Sequence, residues 1–249
     1  MATMRLPVIR GLIRRRMLVN YRVAPETIQR LLPAPFRPKL HRGHAIAGIC
    51  LIRLEQIRPA GFPAALGQAS ENAAHRIAVT WIETDGTERE GVFIPRRDTS
   101  SMLNHLAGGR IFPGQHHLAK FDVIDSNGQV SLHMHSRDDG LRVEVKGHDS
   151  DEWPATSCFG SLAESSEFFR GGSLGYSATS DPCRLDGLEL QTEAWSVRSF
   201  VVDQVSSSYF ENHALFPDGS VTFDHALIMR DIPHEWHQVA GMTCHSTAR

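Results

Sequence analysis

Turn chemistry constrains this chain more than any other feature. ETDGTE lies between the strand-like runs HRIAVTWIE and EREGVFI, DSNGQ lies between LAKFDVI and QVSLHMHS, and RDDG joins that last run to LRVEVKG. Asp-Gly and Asn-Gly put glycine where a positive φ is required, which is how antiparallel neighbours reverse tightly. A hairpin followed by a three-strand meander is therefore expected. Inside the meander, Val130, Leu132 and Met134 alternate with His133 and His135, the period of a half-buried strand. HAIAGICLIRL is instead a near-continuous apolar run, as in a strand buried on both faces. Further strands are expected over Met17–Val23, EAWSVRSFVVDQV and SVTFDHALIM.

Helical signals are few and short. PETIQRLLP starts with Pro25 and stops at Pro33, while SLAESSEFFRGG carries a Ser161-to-Glu164 capping box and a Gly171 stop. The GGSLG that follows reads as a C-cap and loop. The expected class is α+β, mainly antiparallel β, with a few short peripheral helices. At 249 residues, without a repeat or a linker-like shift in composition, residues 1–249 are read as one domain.

Charge and cysteine content exclude several functions. A net charge of −2 with dispersed arginines predicts no affinity for nucleic acid or an anionic membrane. No run approaches the roughly 18 apolar residues of a membrane helix, and no secretory signal opens the chain, so a cytoplasmic location is expected. Cys50, Cys158, Cys183 and Cys244 form no CxxC pair and suggest neither a disulfide framework nor a thiolate zinc site. Cys50 reads as a small buried apolar residue.

Residues 95–121, PRRDTSSMLNHLAGGRIFPGQHHLAKF, concentrate ionisable groups beside apolar runs. Asp98 or Thr99 can cap a short helix with an apolar side of Met102, Leu103 and Leu106, ended by Gly108. That helix spaces Arg96, Arg97 and Asp98 from Arg110, His116 and His117, and the two polar ends could converge on one cavity. His116 and His117 suit general acid–base chemistry near neutral pH, or else a turn bonded to backbone. Arg97 and Arg110 can grip a carboxylate through the planar guanidinium fork. In alternation only one of Arg96 and Arg97 can face inward. Asp98 either caps the helix or joins the site.

The run Gly109-Arg110, an aromatic-Pro-Gly turn, the doubled His116-His117 and then Leu118-Ala119 resembles the active-site segment of the acetoacetate decarboxylase-like superfamily. There two adjacent lysines precede Leu-Ala or Leu-Gly. The order Glu71-Asn72, HRIAVTWIE, GVFIPRRD, GGRIFPGQHHLA carries the resemblance over residues 12–240, to the uncharacterised YqjF-like branch. It implies a closed, cone-like β-barrel, and it places a glutamate near Glu71, which with His75 or Arg76 could carry a proton or hold ligand inside the barrel. The departure is the lysine pair, through which the decarboxylase forms its Schiff base. Of 26 lysines and arginines only Lys39, Lys120 and Lys146 are lysines. Lys120 alternates with Leu118 and Asp122 on the solvated side, without the desolvation that imine chemistry needs.

His133 and His135 share a strand face, and His234 and His237 have helical i, i+3 spacing, but no third ligand presents itself. No metal and no cofactor is expected. The sequence thus points to a protein that takes a small, anionic oxo or carboxylic acid and is able to form oligomers. It would be a lyase or isomerase without a Schiff base, using His116 or His117. The alternatives are a non-catalytic receptacle and, on histidine count alone, a metal-dependent hydrolase.

Overall fold

The structure, a computed structural model, describes residues 7–107, 114–192 and 194–243. The first half builds β1 (Ile9–Val23), α1 (Pro25–Leu31), the short β2 (Arg37–Pro38) and β3 (Leu40–His41), β4 (His44–Pro59), β5 (Gln68–Ile82) and β6 (Glu88–Thr99). There follow α2 (Met102–Ala107), β7 (His116–Ser126), β8 (Gln129–Ser136) and β9 (Arg142–Ser150). The chain ends with α3 (Leu162–Arg170), β10 (Leu174–Ala178), β11 (Arg184–Thr192), β12 (Arg198–Ser207) and β13 (Val221–Thr243).

The expected reversals are present. Gly86, Gly128 and Gly140 have φ of 85°, 75° and 74° at the β5–β6, β7–β8 and β8–β9 turns. Pairings then close on themselves: β6, β7, β8, β9, β12, β13, β1, β4 and β5 form a ring of nine strands. The sheet is mixed, because β6 runs parallel to both β7 and β10. β10 and β11 bridge β6 to β13, which makes a second circuit of β6, β10, β11, β13, β1, β4 and β5.

Strands shared by both circuits must bury both faces. In β4, Ala45, Ala47, Ile49 and Leu51 join one core, whereas Ile46, Cys50, Ile52 and Leu54 join the other. In β1, Met17, Val19 and Tyr21 face the first core and Leu18 the second. This explains the unbroken apolar run in HAIAGICLIRL. Each fully buried Leu, Ile or Phe contributes about 1.5–3 kcal/mol of transfer free energy, so two-sided burial ties these strands firmly into the fold. The first core fills the ring of nine with Leu132, Met134, Val145, Phe210 and Phe216, and the second receives α3 through Phe169. Ser161 Oγ caps α3 by accepting from the Glu164 amide at 3.2 Å, as the capping box predicted.

Three expectations are corrected, and one strand is present that none of them covered. GGSLG is not a terminal loop: after a 3-10 turn at Gly171–Ser173 it runs into β10. β11, which the sequence reading left without an element, pairs with β10 and β13. PHEWH is part of β13, with Pro233 paired to Leu12 and His237 to Glu189, so a strand sends His234 and His237 to opposite faces. Finally, Ser101 rather than Asp98 or Thr99 caps α2, its Oγ accepting from Asn104 at 3.3 Å, and Met102, Leu103 and Leu106 are exposed. Gly108 and Arg110 lie outside the described residues.

Candidate functional site

The second circuit encloses a cavity of about 120 Å³. One water needs about 10–15 Å³ of such space, so the cavity suits a small organic molecule. Its apolar wall includes Ile52, Ile94, Leu190 and Trp236, and its polar side chains include Arg16, Cys50, Arg76, Arg97 and His116.

Local backbone geometry decides which arginine enters. In the β5–β6 ladder Ile77 pairs with Phe93 but His75 pairs with Arg96, so two residues of β6 oppose one of β5. This bulge shifts the phase of β6. Arg97 thereby joins Val92 and Ile94 on the cavity wall. Arg96 turns the other way, its Nε and Nη2 each donating to Asp98 at 2.8 Å, and it also pairs with Asp139. Asp98 borders the cavity but is fully buried with both oxygens occupied by Arg96.

Three guanidinium groups therefore line one small space, and among the described residues none has an ion-pair partner. Arg97 Nε donates to Ser177 Oγ at 3.0 Å, and burial lowers its pKa to about 10. Its exposure is intermediate rather than negligible, because the surface it keeps lies on the cavity wall. Arg76 is 5% exposed, stacks 4.7 Å from the Phe169 ring, and is likewise lowered to about 10 by burial. Its Nη2 donates to Asn20 Oδ1, while its Nε–H has no acceptor. Arg16 Nε lies 3.4 Å from Cys50 Sγ, and its Cζ is 6.0 Å from the Trp195 ring. Buried cations without counter-ions are costly.

Arg76 is braced from behind. Asn20 Nδ2 contacts His225 Nε2 at 3.1 Å, Ser165 Oγ contacts the same nitrogen at 2.8 Å, and His225 Nδ1 meets Asp224 Oδ2 at 2.6 Å. Burial would raise Asp224, but hydrogen bonds from His225, Ser157 and the Cys158 amide hold it far below the usual carboxylate range. Burial lowers His225, so it is the neutral tautomer that donates from Nδ1 to the ionised Asp224. The chain Asp224–His225–Asn20 orients the Arg76 guanidinium.

His116 is 9% exposed, with Nδ1 3.1 Å from the Gly114 carbonyl oxygen. Burial, then the field of Arg97, lowers its pKa to about 3. It is therefore neutral at pH 7, with Nδ1–H donating to that carbonyl and Nε2 left as an acceptor.

The remaining expected site residues are elsewhere. His117 pairs with Asp138 at 3.0 Å on the partly exposed side of β7, and it does not line the cavity. Glu71 is engaged by Arg15 at 2.7 Å, also off the cavity wall, with a pKa raised by burial. Among the residues named from the sequence, the cavity gathers Arg76, Arg97, Asp98 and His116. Arg16 and Cys50 were missed; their signal was an arginine in phase with the buried Leu18 and a cysteine in a two-sided apolar strand. No lysine lines the cavity: Lys39 pairs with Glu90, Lys146 with Glu144, and Lys120, 63% exposed in its side chain, with Asp122. His133 sits beside Glu144 at 3.7 Å on an exposed strand face.

The sequence profile of DUF2071, described as an uncharacterized conserved protein, matches residues 12–228. No curated protein shows significant sequence similarity. Among solved structures, acetoacetate decarboxylase from Legionella pneumophila superposes with a TM-score of 0.59 at 13% identity, over 97% of this chain and 93% of its own. The enduracididine biosynthesis enzyme MppR complexed with pyruvate gives 0.58 at 12% identity, over 97% and 91%. An acetoacetate decarboxylase-like enzyme from Sphingomonas wittichii gives 0.56 at 14% identity, over 98% and 94%. These likenesses establish the acetoacetate decarboxylase-like fold for which the sequence motifs argued.

Proposed function

The chain belongs to the DUF2071 family, and from that premise we propose that it binds a small oxo or carboxylic acid inside the second strand circuit. The observation that carries this reading is the set of three guanidinium groups, Arg16, Arg76 and Arg97, in one cavity without a carboxylate counter-ion among the described residues. A carboxylate placed there gains charge-assisted hydrogen bonds and relieves the desolvation that depresses Arg76 and Arg97. The apolar wall of Ile52, Ile94 and Leu190 takes a short carbon skeleton. In this reading the circuits close as a cone-like barrel with the ligand held toward its mouth. The fold neighbour MppR is described in complex with pyruvate, a 2-oxo acid, which supports the same ligand class here.

As an enzyme, the protein would be a lyase or isomerase that works without a Schiff base, since none of its lysines reaches the cavity. His116 would be its proton carrier. Beside an uncompensated Arg97 the imidazole is too weak a base at neutral pH, and an anion on Arg97 raises its basicity by cancelling the neighbouring charge. The competing reading is a receptacle without turnover, and the observation that favours it is that same low basicity. Pyruvate and acetoacetate, with acetone as the neutral control, should discriminate by isothermal titration: the two acids bind, acetone does not, and Arg97→Met abolishes the heat. Equal binding of acetone would sink the anion reading. Turnover of any oxo acid that Arg97-dependent binding admits, lost in His116→Gln, selects the enzyme; binding without turnover selects the receptacle.

A further inference from the structure

Cys50 is the cavity's polar group that ligand capture leaves unused. It is 8% exposed and shares its face of β4 with Ile52 and Leu54, so packing alone would make it a small apolar residue. Its surroundings are not those of an inert thiol. Arg16 Nε lies 3.4 Å from Sγ, close enough to donate a hydrogen bond to it. Arg76 and Arg97 line the same cavity. No carboxylate competes, since Asp98 is held by Arg96. A second feature points to a ligand at this spot: Arg76, 5% exposed and lining the same cavity, has no ion-pair partner among the described residues.

The other described cysteines differ. Cys158 is half-buried next to Asp224, and burial followed by that charge pushes its thiol up to about 12. Cys183 is exposed. A thiol approached by a guanidinium and opened to a cavity that can hold a carboxylate stands within reach of a ligand's carbonyl carbon.

We propose that Cys50 is a nucleophilic thiol that adds to the carbonyl carbon of an oxo acid whose carboxylate is held by the cavity arginines. This rests on the ligand reading above. A sulfur–carbon bond forms, the carbonyl π bond opens, and the thiol proton ends on the former carbonyl oxygen. The product is a hemithioketal that reverts by the same path, and no oxidant or reductant takes part.

Competitive alkylation of the folded protein tests the idea. Iodoacetate and iodoacetamide, used separately at pH 7, are followed by peptide mass mapping, with Cys183 as internal reference. Free thiols react faster with the neutral amide, and Cys183 should do so. Cys50 should show the reverse preference, because the arginines collect the carboxylate reagent, and Arg16→Met should slow its labelling by iodoacetate about tenfold, the worth of one charge-assisted hydrogen bond. Pyruvate should protect Cys50 and leave Cys183 unaffected. A Cys50 that neither reagent labels, or one that prefers iodoacetamide as Cys183 does, overturns the proposal. Failure of the ligand reading looks different: pyruvate then gives no binding heat with the parent protein.

Discussion

Replacing Arg97 by methionine separates what the cavity costs the fold from what it does for a ligand. Burial lowers this guanidinium from 12.5 to about 10, and at about 1.4 kcal/mol per pKa unit the charged form carries a penalty of roughly 3 kcal/mol in the folded state. Methionine removes the charge while keeping an unbranched, adaptable chain of similar reach. Against that gain, Ser177 Oγ loses a donor at 3.0 Å, a loss of about 1 kcal/mol. The difference leaves Arg97→Met more stable than the parent by about 2 kcal/mol, in line with replacing buried ions by apolar residues. For a chain of this size that is a rise in Tm of about 4–8 °C. Thermal unfolding should be followed with and without pyruvate. The parent's Tm climbs with ligand concentration by mass action, whereas the variant starts higher and does not respond. A variant that melts below the parent and still responds to pyruvate would refute the claim that Arg97 is an uncompensated charge awaiting an anion.

Acid should unfold the protein steeply. Burial lowers His75 and His116 to about 3 and His234 to about 4. The unfolded chain binds these protons from pH 6.5 downward and the folded chain does not, so stability is intact above 6.5 and is lost as pH falls toward the folded values. Near pH 5 the difference of three protons gives a slope of about 4 kcal/mol per pH unit. Urea midpoints measured across pH 7 to 5 check it, and His75→Phe should remove a third of the slope. Borohydride with acetoacetate should leave no adduct on Lys39, Lys120 or Lys146, and a reduced adduct in the mass spectrum would contradict their placement off the cavity. Glu71→Gln should cost about 3 kcal/mol by weakening the compensation of the buried Arg15, without altering pyruvate affinity by titration. Gly91→Ala should loosen the cavity wall, because an added Cβ would lie 2.4 Å from the Leu174 carbonyl oxygen between β6 and β10. Pyruvate binding should weaken in that variant while far-ultraviolet circular dichroism stays that of a β protein.

Local chemistry made the hairpins legible, since each reversal hangs on one glycine and on alternation beside it. The two-sided burial of β4 was legible for the same reason, but its cause was not: a second circuit sharing that strand. β10 and β11 close the circuit with LGYSA and RLDGLELQT, where glycines and acids interrupt the apolar pattern, so the elements that line the cavity were the least visible. The choice between Arg96 and Arg97 depends on the bulge opposite Arg76, a register event without a turn residue to announce it.

Ion-pair partners distinguish an arginine that braces the fold from one whose charge is left unbalanced. Arg14 reaches Glu55 on β4 and Asp231 on β13, Arg15 reaches Glu71 on β5 and Asp125 on β7, and each is neutralised. Arg16 stands opposite Ile52 and Met229, Arg76 opposite Gly48, and Arg97 opposite Ala74 and His116. Those positions offer no acid, and no ion pair reaches these cations among the described residues, so their lost hydration goes unbalanced. That pattern exists only once register is known, which is why Arg14, Arg15 and Arg16 look alike as a basic triplet and behave as three different residues in the folded chain.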